Sequence, residues 1–337
     1  MIASDFSFII PVYNRPEEIR ELLESFCELD APKTFEIVIV EDGSSLDARL
    51  IVEHFQSKLK IKYFYKENSG PGQSRNYGME RAKGHYFIIL DSDCMLPKNY
   101  LSEVISFLNK SYVDCFGGPD RAKYNFSELQ KAVNFTMTSL LTTGGIRGGD
   151  TEIEGYEPRS FNMGISKEAF LASGGFGNIH PGEDPDLSIR LKDIGYKLRL
   201  ISKAYVYHKR RLNFETFFIQ VYKFGQVRPI LNKWHPHSRK LAYWFPSFFV
   251  IIFLLSLLLL LFFNFKWGLY LYAVYFLVIF IMALNSISNV IASILCIPAV
   301  LIQFSGYGIG FLKSFFKLKI SKKSETKLFP KLFFKSI

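Results

Sequence analysis

Between Leu241 and Leu312 the chain carries one charged side chain, Lys266, and no other feature restricts its folding so severely. Residues 241–265 are an uncharged run of 25, including FPSFFVIIFLLSLLLLLFF, and residues 267–312 are a second run of 46. A helix needs about 20 apolar residues to cross the hydrocarbon core of a bilayer. The first run is therefore one span. The second holds two spans, or one span (Trp267–Leu284) followed by an interfacial or re-entrant piece around Ser286–Leu312. Pro298, Gly306, Gly308 and Gly310 favour a break there. Trp244, Trp267 and Tyr270 near the ends of the runs suit an interfacial belt.

Charge is arranged around these runs. Residues 1–202 carry 23 Lys/Arg against 29 Asp/Glu, whereas 203–240 carry nine against one and 313–337 eight against one. Two basic blocks flanking an apolar region point to an anionic membrane surface rather than nucleic acid. Positive segments next to spans stay inside, so head and tail are expected in the cytosol, with an even number of crossings. The opening MIASDFSF has no positive n-region, so no signal peptide is expected. Cys27, Cys94, Cys115 and Cys296 have no metal or disulfide spacing, as in a reduced compartment. The expected division is a cytosolic catalytic domain at 1–212 and a basic, aromatic, amphipathic interfacial segment at 213–240. A membrane region at 241–312 and a basic cytosolic tail at 313–337 follow. Such a chain is an integral protein of the cytoplasmic membrane.

The head alternates strand and helix. Phe6–Val12 reads as a buried strand, and Asn14 as the cap of a helix with Pro16 in its first turn. Strands follow at Phe35–Val40, Ile61–Tyr65 and His85–Leu90, with helices near Leu46–Lys58 and Pro71–Ala82. Four alternations in about 110 residues imply βαβ units: an α/β, Rossmann-like, mostly parallel sheet with helices on both faces. Ligands bind such sheets outside the carboxyl ends of the strands. There the sequence puts Tyr13, Asn14 and Arg15, then Glu41 and Asp42, then Asp91 and Asp93. Neither GxGxxG after the first strand nor GxxxxGKS/T is present, which removes dinucleotide and P-loop readings. Asp91-Ser92-Asp93 directly after HYFIIL is the sharpest feature. Residues i and i+2 of a strand project to one side and can share a hard cation, Mg²⁺ or Mn²⁺.

Four motifs then occur in a familiar order: FIIPVYNR at 8–15, IVIVEDGSS at 37–45, NSGPGQSRNYG at 68–78 with FIILDSD at 87–93, and GEDPDLSIRL at 182–191. Together they resemble the family 2 glycosyltransferases, which have the GT-A fold, over residues 6 to about 210. The usual Asp-Asp-Gly-Ser is here Glu-Asp-Gly-Ser, and no Gln-x-x-Arg-Trp follows, which disfavours a processive synthase. The resemblance implies inverting transfer of a sugar from a nucleotide diphosphate donor, with uracil the default base. It implies that Pro11, Tyr13 and Arg15 line the base pocket, that Asp42 accepts a hydrogen bond from the base, and that Gly70, Arg75, Asn76, Asp91 and Ser92 belong to the nucleotide-sugar site. Asp93, with Asp91 and His208, would hold Mn²⁺ or Mg²⁺. Asp184 would be the catalytic base, with Asn162, Glu183 and Asp186 on the acceptor side. For Glu183 and Asp184 the plain alternative is helix capping.

The Gly-rich stretch 142–155 is expected to be an acceptor loop or a surface loop. The helix Asn213–Trp234, aromatic and basic, is expected to rest on anionic headgroups. The expected acceptor is a lipid-linked glycan, in synthesis of a cell-surface polysaccharide or glycolipid. The rivals are an enzyme that charges polyprenyl phosphate itself and a catalytically dead membrane scaffold.

Overall fold

The computed structural model describes residues 1–144, 156–209 and 213–334. Residues 145–155 of the Gly-rich stretch, residues 210–212 at the expected end of the head, and Lys335 of the basic tail lie outside them. The chain divides into two compact units that do not follow sequence order. One comprises 1–123, 156–209 and 333–334 of the described residues, the other 124–144 and 213–332.

The first unit is built on strands β1 (Phe6–Val12), β2 (Glu36–Asp42), β3 (Ile61–Lys66), β4 (Tyr86–Leu90), β5 (Cys94–Met95) and β6 (Cys115–Gly117). Later come β7 (Asp120–Arg121), β8 (Asn162–Ser166), β9 (Leu198–Leu200) and β10 (Val206–His208). Seven of them form a sheet in the order β3-β2-β1-β4-β8-β6-β9. The β1–β2, β2–β3, β1–β4 and β6–β9 pairs are parallel, and β8 runs antiparallel to both β4 and β6. Chain order runs one way from β1 to β3 and the other way to β4. The switch therefore lies between β1 and β4, and ligands of such sheets bind outside the carboxyl ends at that point.

Buried side chains hold this sheet on both faces. On one face Phe8, Phe26, Phe35 and Tyr100 pack ring to ring, Phe8 lying edge-on to Phe26 and Phe35 at 4.7 and 5.2 Å between centroids. Each such ring contributes about 1.5–3 kcal/mol on full burial. On the other face Ile9, Val38, Phe87 and Ile89 meet the Pro71–Arg81 and Glu183–Asp193 helices through Met79, Leu187 and Leu191.

In the second unit the Glu128–Thr138 helix packs Ala132 and Phe135 into a cluster with Phe249, Ile279, Ala283, Cys296, Val300 and Phe304. Three helices there are long and apolar enough to cross a membrane: Leu241–Phe263, Trp267–Ile287 and Val290–Ile320. The third is continuous through Pro298 and through Gly306, Gly308 and Gly310, so the expected break is absent. Gly306 and Gly310 are points of close approach to the Phe214–Trp234 helix, and Gly308 to Pro246 and Ser247 at the start of the Leu241–Phe263 helix. A Cβ at Gly310 would run into the Tyr222 carbonyl oxygen, and one at Gly225 into that of Tyr307. The sequence signal of a breaker was a packing seam.

Candidate active site

The polar groups of the first unit gather where the strands end. All five side chains of β4 are buried, so the first residues able to meet a ligand are those just beyond it. Asp91 remains about one-third exposed, while Asp93 is buried. A small second sheet in the order β5-β10-β7 completes this corner. Its antiparallel register sets His208 opposite Cys94, and the imidazole Nε2 comes 3.1 Å from Asp93 Oδ1. Its parallel edge sets Asp120 opposite Val206, with Asp120 Oδ2 3.8 Å from His208 Nδ1. The Phe161 ring packs on the imidazole at 5.1 Å. On the other Asp93 oxygen, Arg15 forms an ion pair at 2.5 Å.

Burial by itself would raise the Asp93 carboxyl; the charges and hydrogen bonds of His208 and Arg15 outweigh it and hold the group below the usual carboxylate range. Asp93 Oδ1 is buried yet accepts no hydrogen bond of good geometry. Ligand atoms of Asp93, Cys94 and His208 lie within 4.8 Å of one another. Burial pushes the Cys94 thiol up, and it donates to the Phe161 carbonyl at 3.4 Å. A buried carboxylate whose Oδ1 faces an imidazole fits a divalent cation, and the oxygen–nitrogen donor set suits Mn²⁺.

A second cluster begins at the Pro71–Arg81 helix. Arg75 is buried and forks between two carboxylates, giving one terminal nitrogen to Asp91 Oδ1 and the other to Glu183 Oε1, each at 2.9 Å. Its guanidinium lies 5.3 Å from the centre of the Phe176 ring. His180 Nδ1 stands 3.0 Å from the same Glu183 oxygen. Burial alone would raise the Glu183 carboxyl, but His180 and then Arg75 bring it down to about 2. Asp184, the next residue, sits in the first turn of the Glu183–Asp193 helix, where the positive end of the helix dipole favours an ionised carboxylate. Its Oδ2 lies 3.8 Å from Arg159 and 3.5 Å from the Ser160 amide. Neither acidic residue caps the helix, because the N-cap is Gly182 with no side-chain bond.

Several expected site residues are committed to the protein itself. Asp42 accepts from the amides of Ser69 and Gly70 at 2.9 Å each and pairs with Lys66, so it braces the turn before the Pro71 helix. Asn76 clasps Phe176 through both backbone groups, at 2.8 Å each. Asp186 holds Arg190, which in turn reaches the carbonyls of Ser173 and Gly175. Asn162, expected on the acceptor side, is fully buried; Tyr100 donates to it at 2.6 Å and it donates to Ala204 at 2.8 Å. These bonds fasten the sheet. Asn14 does not cap the first helix, whose N-cap is Arg15. With φ of 54° it turns away and accepts from the amides of Ser45 and Leu46, tying the end of β1 to that of β2. Pro11 is half-buried near the end of β1, Tyr13 is exposed and Ser92 buried.

Sequence reasoning missed three residues here. Asp120 and Arg159 carried no motif beyond a loop position, and Phe334 lay in the basic tail. Phe333 bridges to Ile179, and the Phe334 amide donates to the Asn178 carbonyl at 3.0 Å. The Phe334 ring covers Gly70, whose φ is 89° and where any Cβ would strike that ring.

Residues 7–171 match the profile of Glycosyl transferase family 2. These residues carry a family 2 glycosyltransferase domain. Its relatives include the poly(ribitol-phosphate) beta-N-acetylglucosaminyltransferase TarS of Staphylococcus aureus strain Mu50, 38% identical over 112 residues. That stretch is 32% of this chain and 20% of TarS. The GalNAc(5)-diNAcBac-PP-undecaprenol beta-1,3-glucosyltransferase of Campylobacter jejuni is 32% identical over 114 residues, 33% of this chain and 37% of that protein. The matched part thus spans well under half the length of either relative. Among solved structures, TarS 1–349 in complex with UDP-GlcNAc aligns with a TM-score of 0.52 at 20% identity, covering 95% of this chain and 93% of that one. The mannosyltransferase PcManGT from Pyrobaculum calidifontis, in complex with GDP-Man and Mn²⁺, aligns with a TM-score of 0.57 at 16% identity, covering 95% and 88%. These likenesses show that the family 2 domain has the GT-A fold.

Proposed function

We propose that the protein transfers a sugar, with inversion, from a nucleotide diphosphate donor, UDP-linked by preference, to a lipid-linked saccharide at the cytosolic face of the cytoplasmic membrane. One observation carries the reading: Arg75 joins the donor-side Asp91 to Glu183, the neighbour of the proposed base Asp184, in one buried fork. In a single inverting step the acceptor oxygen bonds to the anomeric carbon as the bond to the diphosphate breaks. Asp184 takes the hydroxyl proton, as a general base held ionised by the helix end and Arg159. Arg75 fixes the two sides in register and keeps Glu183 charged. Asp93 and His208 would hold Mn²⁺ or Mg²⁺, which when bound supplies Lewis-acid charge to the leaving diphosphate.

The apolar helices and the named substrate of the Campylobacter relative support a lipid-linked acceptor. Phe333 and Phe334 pair with the family 2 domain itself, which supports a tail on the same side of the membrane as the domain. That requires an even number of crossings, two of the three candidate helices. A panel of nucleotide sugars scored by nucleotide release, with and without Mn²⁺, tests the reading. A UDP-sugar should be consumed only with a lipid-diphosphate saccharide present. Transfer to bare polyprenyl phosphate would replace it with carrier charging, and release from no donor would overturn it.

A further inference from the structure

The second unit holds a cavity of about 520 Å³ that no catalytic role uses. It opens where the Leu241–Phe263 helix begins and the Val290–Ile320 helix ends. Its floor is a built aromatic nest. Trp244 meets Phe311 and Phe315 edge-on, each at 4.9 Å, and those two rings stack on one another. Its rim is cationic, formed by Lys233, Arg239, Lys240 and Lys319. Lys233 is paired with Glu325 at 2.5 Å. Arg239 Nε donates to the Asn232 carbonyl at 3.1 Å, which aims its guanidinium. Among the described residues no carboxylate pairs with Arg239, Lys240 or Lys319.

We infer that this cavity binds the diphosphate and first prenyl units of the lipid-linked acceptor. The inference rests on the proposed reading that the acceptor is such a lipid. An apolar floor under a cationic rim, at the end of a membrane-spanning run, matches an amphiphile with a phosphate head at that depth. Three uncompensated cations match the two negative charges of a diphosphate diester better than the single charge of a phospholipid. The guanidinium adds bidentate recognition of phosphate oxygens.

The test uses the full chain in phosphatidylcholine nanodiscs. Replacing Trp234 and Trp267 by Phe leaves Trp244 as the only tryptophan, so its emission reports on the floor. Farnesyl diphosphate is titrated as the probe, with phosphatidylglycerol as competitor. Binding should change Trp244 emission and saturate. Arg239→Gln with Lys240→Gln should weaken it at least tenfold while donor binding, measured by calorimetry with a UDP-sugar, stays unchanged and certifies the fold. Equal probe affinity in that variant would overturn the inference, as would phosphatidylglycerol displacing the probe at equal concentration. The two readings fail separately. Probe binding without any nucleotide release removes the proposed function, and lipid-dependent release without probe binding removes this site.

Discussion

Arg75→Met should be among the most damaging single substitutions in the family 2 domain. The Arg75 and Glu183 side chains are each 4% exposed, and the guanidinium makes a 2.9 Å bond to each of two carboxylates. Removing one partner of a buried ion pair costs about 3–5 kcal/mol, because the other charge stays buried. Glu183 keeps His180 at 3.0 Å and Asp91 can turn to water, so the lower end, about 3 kcal/mol, applies. At roughly 2–4 °C per kcal/mol for a domain of this size, the melting temperature should fall by about 6–12 °C. Glu183→Gln alone should cost about 1.5–3 kcal/mol, the worth of a hydrogen bond to a charged group. The double variant should lose less than the sum, with a coupling energy of about 2 kcal/mol. Arg75→Lys should not rescue, since a point charge cannot fork between two carboxylates. Differential scanning calorimetry of the four proteins in one detergent decides this. A drop under 2 °C for Arg75→Met, or strict additivity in the double, would refute the bridging role.

Other outcomes follow from the same geometry. Burial would raise the Glu183 carboxyl, but His180 and then Arg75 outweigh it and bring it down to about 2 against an ordinary 4.5. A depressed carboxyl stabilises fully above its unfolded value and loses that contribution as pH falls toward the folded one. Melting temperature should therefore drop between pH 5 and pH 2, and Glu183→Gln should flatten that slope; equal slopes would contradict it. Gly225→Leu should separate the Phe214–Trp234 and Val290–Ile320 helices, because its side chain meets the Tyr307 carbonyl. Calorimetry of the full chain should show a fall of several degrees, and an unchanged melting temperature would show that the seam is loose. A cysteine replacing the exposed Ser324 should resist a membrane-impermeant maleimide in intact cells and react after lysis. Labelling from outside would place the tail across the membrane from the assumed cytosol.

Much of the frame was legible because central strands advertise themselves. Phe6–Val12 is an apolar run interrupted only by Ser7, and its sequence limits are those observed. The second strand runs two residues past the expected end, since Glu41 and Asp42 stay in register with β3 before the turn. Glu41 is buried and bonded by Tyr63, Ser44 and the Ala48 amide, which explains why a longer carboxylate stands in the Glu-Asp-Gly-Ser motif. The corner around Asp93 was only half legible. The two- and three-residue strands β5, β7 and β10 show no periodicity, so nothing local announces that residues 93, 120 and 208 meet. Asn14 misled because a residue that caps a helix and one that enters the left-handed region look alike in sequence. Phe334 was hidden for another reason: a short pairing far along the chain leaves no trace in composition.

The central claim divides the chemistry between Asp184 as base and Asp93 with His208 as the donor and cation side. It is tested most directly by Asp184→Asn, measured for donor binding by calorimetry with Mn²⁺ and for turnover by nucleotide release. Asn keeps the shape but cannot take a proton, and general-base catalysis contributes about 10²–10⁴-fold. The account predicts donor affinity within about twofold of wild type and turnover lower by at least about 100-fold, roughly 3 kcal/mol of transition-state stabilisation. Asp93→Ala, run beside it, should instead lose Mn²⁺-dependent donor binding. Turnover near the wild-type rate in Asp184→Asn would contradict the account and return Glu183 and Asp186 to consideration.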